Sequence, residues 1–226
     1  MENLTPAQKG FSVFAVFSYW FLYGYHSGIQ FEQLFFGGLA LALLFASSRI
    51  SNWRHLILPL VLTAIVYDSQ RHYSDLLRGP IHVLEPYAFD LRLFGIREDG
   101  VVFTPNEWLH KHGTPFLDVF SGFAYLLFIP EFFLVAGFFI FSGNERVSRL
   151  AREMCWGFLW LNVLGYSTYY WYAAAPPWYV ADYGLVPADL SVKASLAGCR
   201  RFEEFFGVPG FKNWYGHSAD VYGSIP

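Results

Sequence analysis

VFSGFAYLLFIPEFFLVAGFFIF (residues 119–141) and EMCWGFLWLNVLGYSTYYWYA (153–173) decide the class of this chain. A bilayer core is crossed by about 20 consecutive apolar residues in a helix, with a range of ~17–25, and both stretches meet that length. Three further apolar runs lie upstream, at 11–29, 31–47 and 55–73. Strict strand alternation is absent from all five, which favours helices over a barrel. The first run is rich in Ser, Tyr and Trp, a composition that also suits a helix lying in the membrane interface. The expectation is therefore an all-α, polytopic membrane helical bundle of about five transmembrane helices, with residues 1–226 forming one integral membrane domain.

Composition points the same way. Hydrophobic residues make up 54% of the chain and aromatic residues 21%, whereas charged residues reach 15%, against roughly 25% in an ordinary soluble domain. A net charge of -3 leaves no electrostatic footprint for a nucleic-acid partner. The start, MENLTPAQKG, enters the first run without a small-residue cleavage site and reads as a retained helix. Cys155 sits in an apolar run and Cys199 in a polar stretch, so they are expected at different depths and not as a disulfide.

Orientation follows from the Lys and Arg of the short connections, which favour the cytoplasmic side. Lys9 precedes the first run, Arg49 and Arg54 flank the turn after the second, and Arg146, Arg149 and Arg152 fill the turn between the fourth and fifth. If every run spans, all of these fall on one side. The amino terminus is then cytoplasmic, and two longer segments, 74–118 and 174–226, are external or lumenal. The first of them has Pro and Gly punctuation and reads as short amphipathic pieces on the membrane surface. The second opens with Ala175-Pro176-Pro177-Trp178-Tyr179, where two prolines break the helix and the Trp-Tyr pair suits the headgroup layer. Lys193, Arg200, Arg201 and Lys212 follow in a Gly- and Pro-containing loop.

AAAPPWYVADYGL (173–185), RRFEEFFG (200–207) and DVYGSIP (220–226) together resemble the inositol phosphorylceramide synthase family of the type 2 phosphatidic acid phosphatase superfamily. YDSQR (67–71) and FDLRLFG (89–95) support the resemblance, which covers most of the chain from Tyr67 onward. The motif residues are Pro176, Pro177, Trp178, Tyr179, Gly223 and Pro226. The resemblance implies a lipid phosphotransferase in which a His activated by an Asp attacks phosphorus and a second His protonates the leaving oxygen, with no cofactor. Its partners would be membrane lipids: a phospholipid headgroup donor, and ceramide or another hydroxyl lipid as acceptor. Family members continue the Gly-x-x-Pro run into Ser-Leu-His, whereas this sequence stops at Pro226. The expectation is an amino-terminal part lacking the catalytic histidine segment. None of His26, His55, His72, His82, His110, His112 or His217 matches the family positions, so no catalytic residue is assigned.

The candidate substrate-binding residues are Arg201, Asp68 and Arg71. Arg201 matches the family arginine and offers a planar fork to a phosphate. Asp68 and Arg71 stand at an expected membrane exit, where ionisable groups must be paired or wet; a structural ion pair explains them as well as a headgroup role does. Anchoring of the loop is a sufficient reading of Trp178 and Tyr179. The His110-x-His112 pair lacks a third ligand and is not taken as a metal site. Two functions stand against each other: the phosphotransferase, with a phosphatase using water as a close variant, and a non-catalytic membrane protein that binds lipids or a partner. Compact loops and the lack of retrieval signals favour a bacterial inner membrane over a Golgi-type one.

Overall fold

The computed structural model describes residues 5–26, 28–29, 31–69, 79–189 and 200–207. Arg71, Gly223 and Pro226 lie outside the described residues, as do Lys193, Cys199 and Lys212. The described chain is mostly helical and divides into two compact units, residues 1–72 with 129–166 and residues 73–128 with 167–226.

The first unit begins with α1 (Pro6–His26), α2 (Phe31–Phe45) and α3 (Ser51–Ser69). Thr5 and Gln8 exchange side-chain and backbone bonds at the start of α1, a reciprocal cap that satisfies two orphan backbone donors. Small residues on α2 let its neighbours approach. A Cβ at Gly37 would stand 2.5 Å from Trp20 Nε1, and that indole nitrogen donates to the Gln33 carbonyl at 2.8 Å. Ala40 and Leu43 of α2 pack on Leu58 and Val61 of α3. Arg54, in the first turn of α3, is buried and donates to the Ala46 and Ser47 carbonyls at 2.6 and 3.3 Å. It thus caps the end of α2 from across the turn.

The two deciding runs form α6 (Pro115–Ile140) and α7 (Glu145–Trp171), each of which contributes to both units. Gly143 takes the left-handed conformation between them (φ 76°), which glycine adopts without steric cost. The Asn144 carboxamide oxygen then accepts from the Arg146 and Val147 amides to open α7. Arg146, Arg149 and Arg152 consequently stand on the first turns of a helix, where the sequence reading had them in a turn. Ala136 and Ile140 pack against Ala151 and Cys155. Ser148 donates to the Ile140 carbonyl at 2.9 Å.

Of the five expected spans, α6 is the one described helix long and apolar enough to cross a membrane. At about 1.5 Å per residue it exceeds a ~30 Å hydrocarbon core. Only 11% of its apolar window is buried within the protein, and Phe116, Leu134 and Phe138 are more than 70% exposed. The other four runs are helical as well, as α1, α2, α3 and α7.

In the second unit, α4 (Leu84–Phe94) leads into a hairpin of β1 (Ile96–Glu98) and β2 (Val101–Phe103), followed by α5 (Pro105–His112). Among the described residues the hairpin is the one sheet in an otherwise helical chain, so the all-α expectation holds in its coarse form. Its strands pair antiparallel, Ile96 with Phe103 and Glu98 with Val101, around Asp99 and Gly100, both at positive φ. An Asp-Gly pair at these angles matches the right-handed twist of the strands it joins. Thr104 and Glu107 form a capping box at the start of α5, with Pro105 in its first turn. The unit is completed by α8 (Pro177–Tyr183) and α9 (Arg200–Phe206).

Candidate functional site

The APPWY motif begins a helix. After α7 stops at Trp171, Ala173 and Ala175 run parallel to residues 79–82, with His82 N donating to the Ala173 carbonyl and Ala175 N to the His82 carbonyl, both at 2.8 Å. The His82 ring stacks on Tyr172 at 4.4 Å. Pro176 then caps α8 with extended angles, and Pro177 fills its first turn, where a missing N–H costs nothing. The prolines thus start a helix, whereas α7 has already ended at Trp171. Tyr179 is 1% exposed and packs on Val83, so it is an internal pin of this segment. Its hydroxyl donates to the Pro187 carbonyl at 3.1 Å and accepts from Asp189 N at 3.0 Å.

Arg201 sits on helix α9, which corrects its placement in a loop. Its Nη2 lies 3.1 Å from Asp118 Oδ2 in the first turn of α6, and its Nη1 reaches the His110 carbonyl at 3.4 Å. The guanidinium packs against Gly113: a Cβ there would lie 2.3 Å from Nη1 and 2.9 Å from Cζ and Nη2. The neighbouring Phe202 ring covers Gly122, where an added Cβ would fall 2.0 Å from Cδ2. Phe202 and Phe206 both meet Phe123 edge-on. Two glycines and one aromatic residue around the start of α6 therefore seat α9. Of the five guanidinium N–H groups, two are engaged by Asp118 and His110 among the described residues, leaving donors for an anion.

Behind Arg201, α5 is tied to the hairpin through Glu98, which accepts from Lys111 Nζ at 3.0 Å and meets His112 Nε2 at 3.1 Å. The hydrogen bond from Lys111 holds the Glu98 carboxyl below the usual carboxylate range against the opposing desolvation, with His112 adding to the effect. His112 also stacks on Trp108 at 4.4 Å, with Nδ1 against the Trp108 carbonyl. Both of its ring nitrogens thus serve the packing of α5, whereas His110 points outward and lends Arg201 its carbonyl. Tyr87 donates to Glu107 at 3.0 Å; burial, followed by the Glu107 charge, pushes its phenol up.

Asp68 belongs to the first unit and Arg201 to the second. At the end of α3 the Asp68 carboxylate is 6% exposed. It accepts from Tyr23, from Tyr19 at 3.1 Å and from Gln33 Nε2 at 3.2 Å; Tyr23 also lies 2.8 Å from the Asp68 carbonyl. Sequence reading singled out Asp68 and missed Tyr19, Tyr23 and Gln33, each of which looks like an ordinary interface residue until α1 and α2 fold onto α3. Asp118 and Gly113 were missed for the same reason. The spacing of GTPFLD (113–118), with Gly and Asp five apart at a helix start, was the available signal.

The sequence profile of the PAP2 superfamily matches residues 98–216, which hold Glu98, Asp118, Arg201 and the APPWY motif. The chain belongs to the PAP2 superfamily. Within that superfamily it is similar to the phosphoinositol dihydroceramide synthase of Bacteroides thetaiotaomicron, at 35% identity over 88% of this chain and 64% of the relative. It is also similar to the inositol phosphorylceramide synthase catalytic subunit of Saccharomyces cerevisiae, at 25% identity over 82% of this chain and 44% of the relative. The inositol phosphorylceramide synthase of Candida albicans is 30% identical over 50% of this chain and 24% of the relative. The chain thus spans less than two-thirds of the length of these PAP2 relatives. No solved structure shows a significant match to it.

Proposed function

We propose that this PAP2 protein is a multi-pass membrane lipid phosphotransferase that moves a phosphoinositol-type headgroup from a phospholipid to the hydroxyl of a ceramide-type lipid. The observation that carries the reading is the 35% identity, over 88% of the chain, to a protein named phosphoinositol dihydroceramide synthase. In the phosphohistidine mechanism that the superfamily resemblance implies, a His displaces the donor's lipid alcohol from phosphorus. A second His protonates that leaving oxygen, and the acceptor hydroxyl, giving its proton back to the second His, then takes the phosphoinositol group from the first as the His–phosphorus bond breaks. None of the seven histidines is assigned to these roles. Arg201, with donors free beside its contacts to Asp118 and His110, is proposed to hold the phosphate oxygens. Asp68 and Arg71 are proposed to support the headgroup site.

The uncovered apolar surface of α6 supports insertion in a bilayer. The arginines of the short connections support a cytoplasmic amino terminus with residues 174–226 outside, and a bacterial inner membrane is the proposed location. The test is to express the full-length protein in a bacterium without inositol sphingolipids and to supply its membranes with phosphatidylinositol and ceramide. Mass spectrometry should find phosphoinositol ceramide that requires both lipids. Water-soluble inositol phosphate formed without an acceptor would replace the reading with a phosphatase, and no turnover with either acceptor would overturn it.

A further inference from the structure

We propose that Gly113 and Asp118 are positioning residues that pre-set the Arg201 guanidinium to receive the phosphate of an anionic lipid donor; the proposal rests on the phosphate-contacting role given to Arg201. An unrestrained arginine has several rotatable bonds, and ordering them on binding lowers affinity. Here the ordering is done in advance. Asp118 holds Nη2 at 3.1 Å, the His110 carbonyl takes Nη1, and Gly113, lacking a side chain, leaves room for the guanidinium to pack against its backbone. The ion pair and the hydrogen bond restrain the group, and N–H donors remain for phosphate oxygens. Asp118 is half-buried on the first turn of α6.

Gly113 gives the sharper test. Its φ is -58°, which any residue adopts, so alanine there brings no backbone strain. What an added methyl would meet is the end of a flexible side chain, which moves away at small cost to the fold. Gly113→Ala therefore displaces Arg201 while leaving the unit intact. A residue needed only for folding would behave in the opposite way.

The experiment measures steady-state kinetics of the full-length protein in mixed micelles, varying donor and acceptor lipids separately. Gly113→Ala and Asp118→Asn should each raise the donor KM about tenfold, the scale of one charge-assisted hydrogen bond. The acceptor KM and the thermal midpoint should stay at wild-type values, and Asp118→Glu should recover part of the loss. In an Arg201→Lys background, Gly113→Ala should add nothing further, because the flat group it displaces is gone. Independent, multiplying effects of Gly113→Ala and Arg201→Lys would overturn the proposal, as would wild-type donor KM in both Gly113→Ala and Asp118→Asn while Arg201→Lys is impaired. If Gly113→Ala fails to accumulate, the pair Asp118→Asn and Asp118→Glu decides by the same donor-KM criterion. Wild-type kinetics in Arg201→Lys and Arg201→Ala would instead remove Arg201 from the site and with it the role proposed for it above.

Discussion

Replacing Tyr23 by phenylalanine isolates the bond that ties α1 to the end of α3. Tyr23 is 1% exposed and donates to a carboxylate that is 6% exposed. A hydrogen bond to a charged group contributes about 1.5–3 kcal/mol in a water-soluble protein. In helical membrane proteins the average is about 0.6 kcal/mol with a maximum near 1.7, because separated helices find other partners. Burial of both partners puts Tyr23→Phe near the top of the membrane range, about 1.5 kcal/mol. Tyr19→Phe, which removes a 3.1 Å bond from a half-buried ring, should cost about 0.5 kcal/mol on the same scale. Asp68→Ala takes the acceptor from Tyr23, Tyr19 and the fully buried amide of Gln33 together. Removing this shared acceptor should cost about 3 kcal/mol, whereas Asp68→Asn keeps an oxygen and should cost about half as much; Tyr23 keeps its bond to the residue 68 carbonyl in both. Equilibrium unfolding in mixed micelles with increasing dodecyl sulfate, read by tryptophan fluorescence, measures all four variants. Equal effects of Tyr23→Phe and Tyr19→Phe, or of Asp68→Ala and Asp68→Asn, would refute the reasoning.

Gly37→Ala should force Trp20 away from the Gln33 carbonyl, cost about 1–3 kcal/mol as overpacking, and shift the tryptophan emission; unchanged emission and stability would contradict the contact. The Glu98 carboxyl is held below its usual range, so its ion pairs with Lys111 and His112 support the hairpin above the ordinary carboxylate pKa. That support should be lost as pH falls through the lowered value. Glu98→Gln should flatten the acid-side decline of the thermal midpoint, and an identical decline in wild type and variant would refute the assignment. Ser148 is buried and bonded to Ile140, so a cysteine there would be shielded on either side of a membrane. The exposed Ser142 and Ala181 are the informative sites. In intact cells an impermeant thiol reagent should spare Ser142→Cys and label Ala181→Cys, and the reverse pattern would invert the topology.

Sequence alone determined the helical character of the five apolar runs and the family, because both are written locally: hydropathy over about 20 residues in one case, short motifs at set spacing in the other. It also contained the Asp99-Gly100 turn, whose hairpin signal was outweighed by the Pro and Gly punctuation of the surrounding segment. Pairings across long separations were decided by tertiary structure. Asp68 was legible as an ionisable group needing partners, yet only the folding of α1 and α2 onto α3 selects Tyr19, Tyr23 and Gln33 from a chain with 15 tyrosines. Arg201 was legible as a phosphate fork, but its restraint by Asp118 and Gly113 required α9 to seat against the start of α6. The same holds for Tyr179, whose ring reads as an interfacial aromatic in sequence and becomes an internal pin through contacts with Val83, Pro187 and Asp189. A side chain's type states which interactions it needs; which of many equivalent partners meets that need depends on where distant segments come to lie.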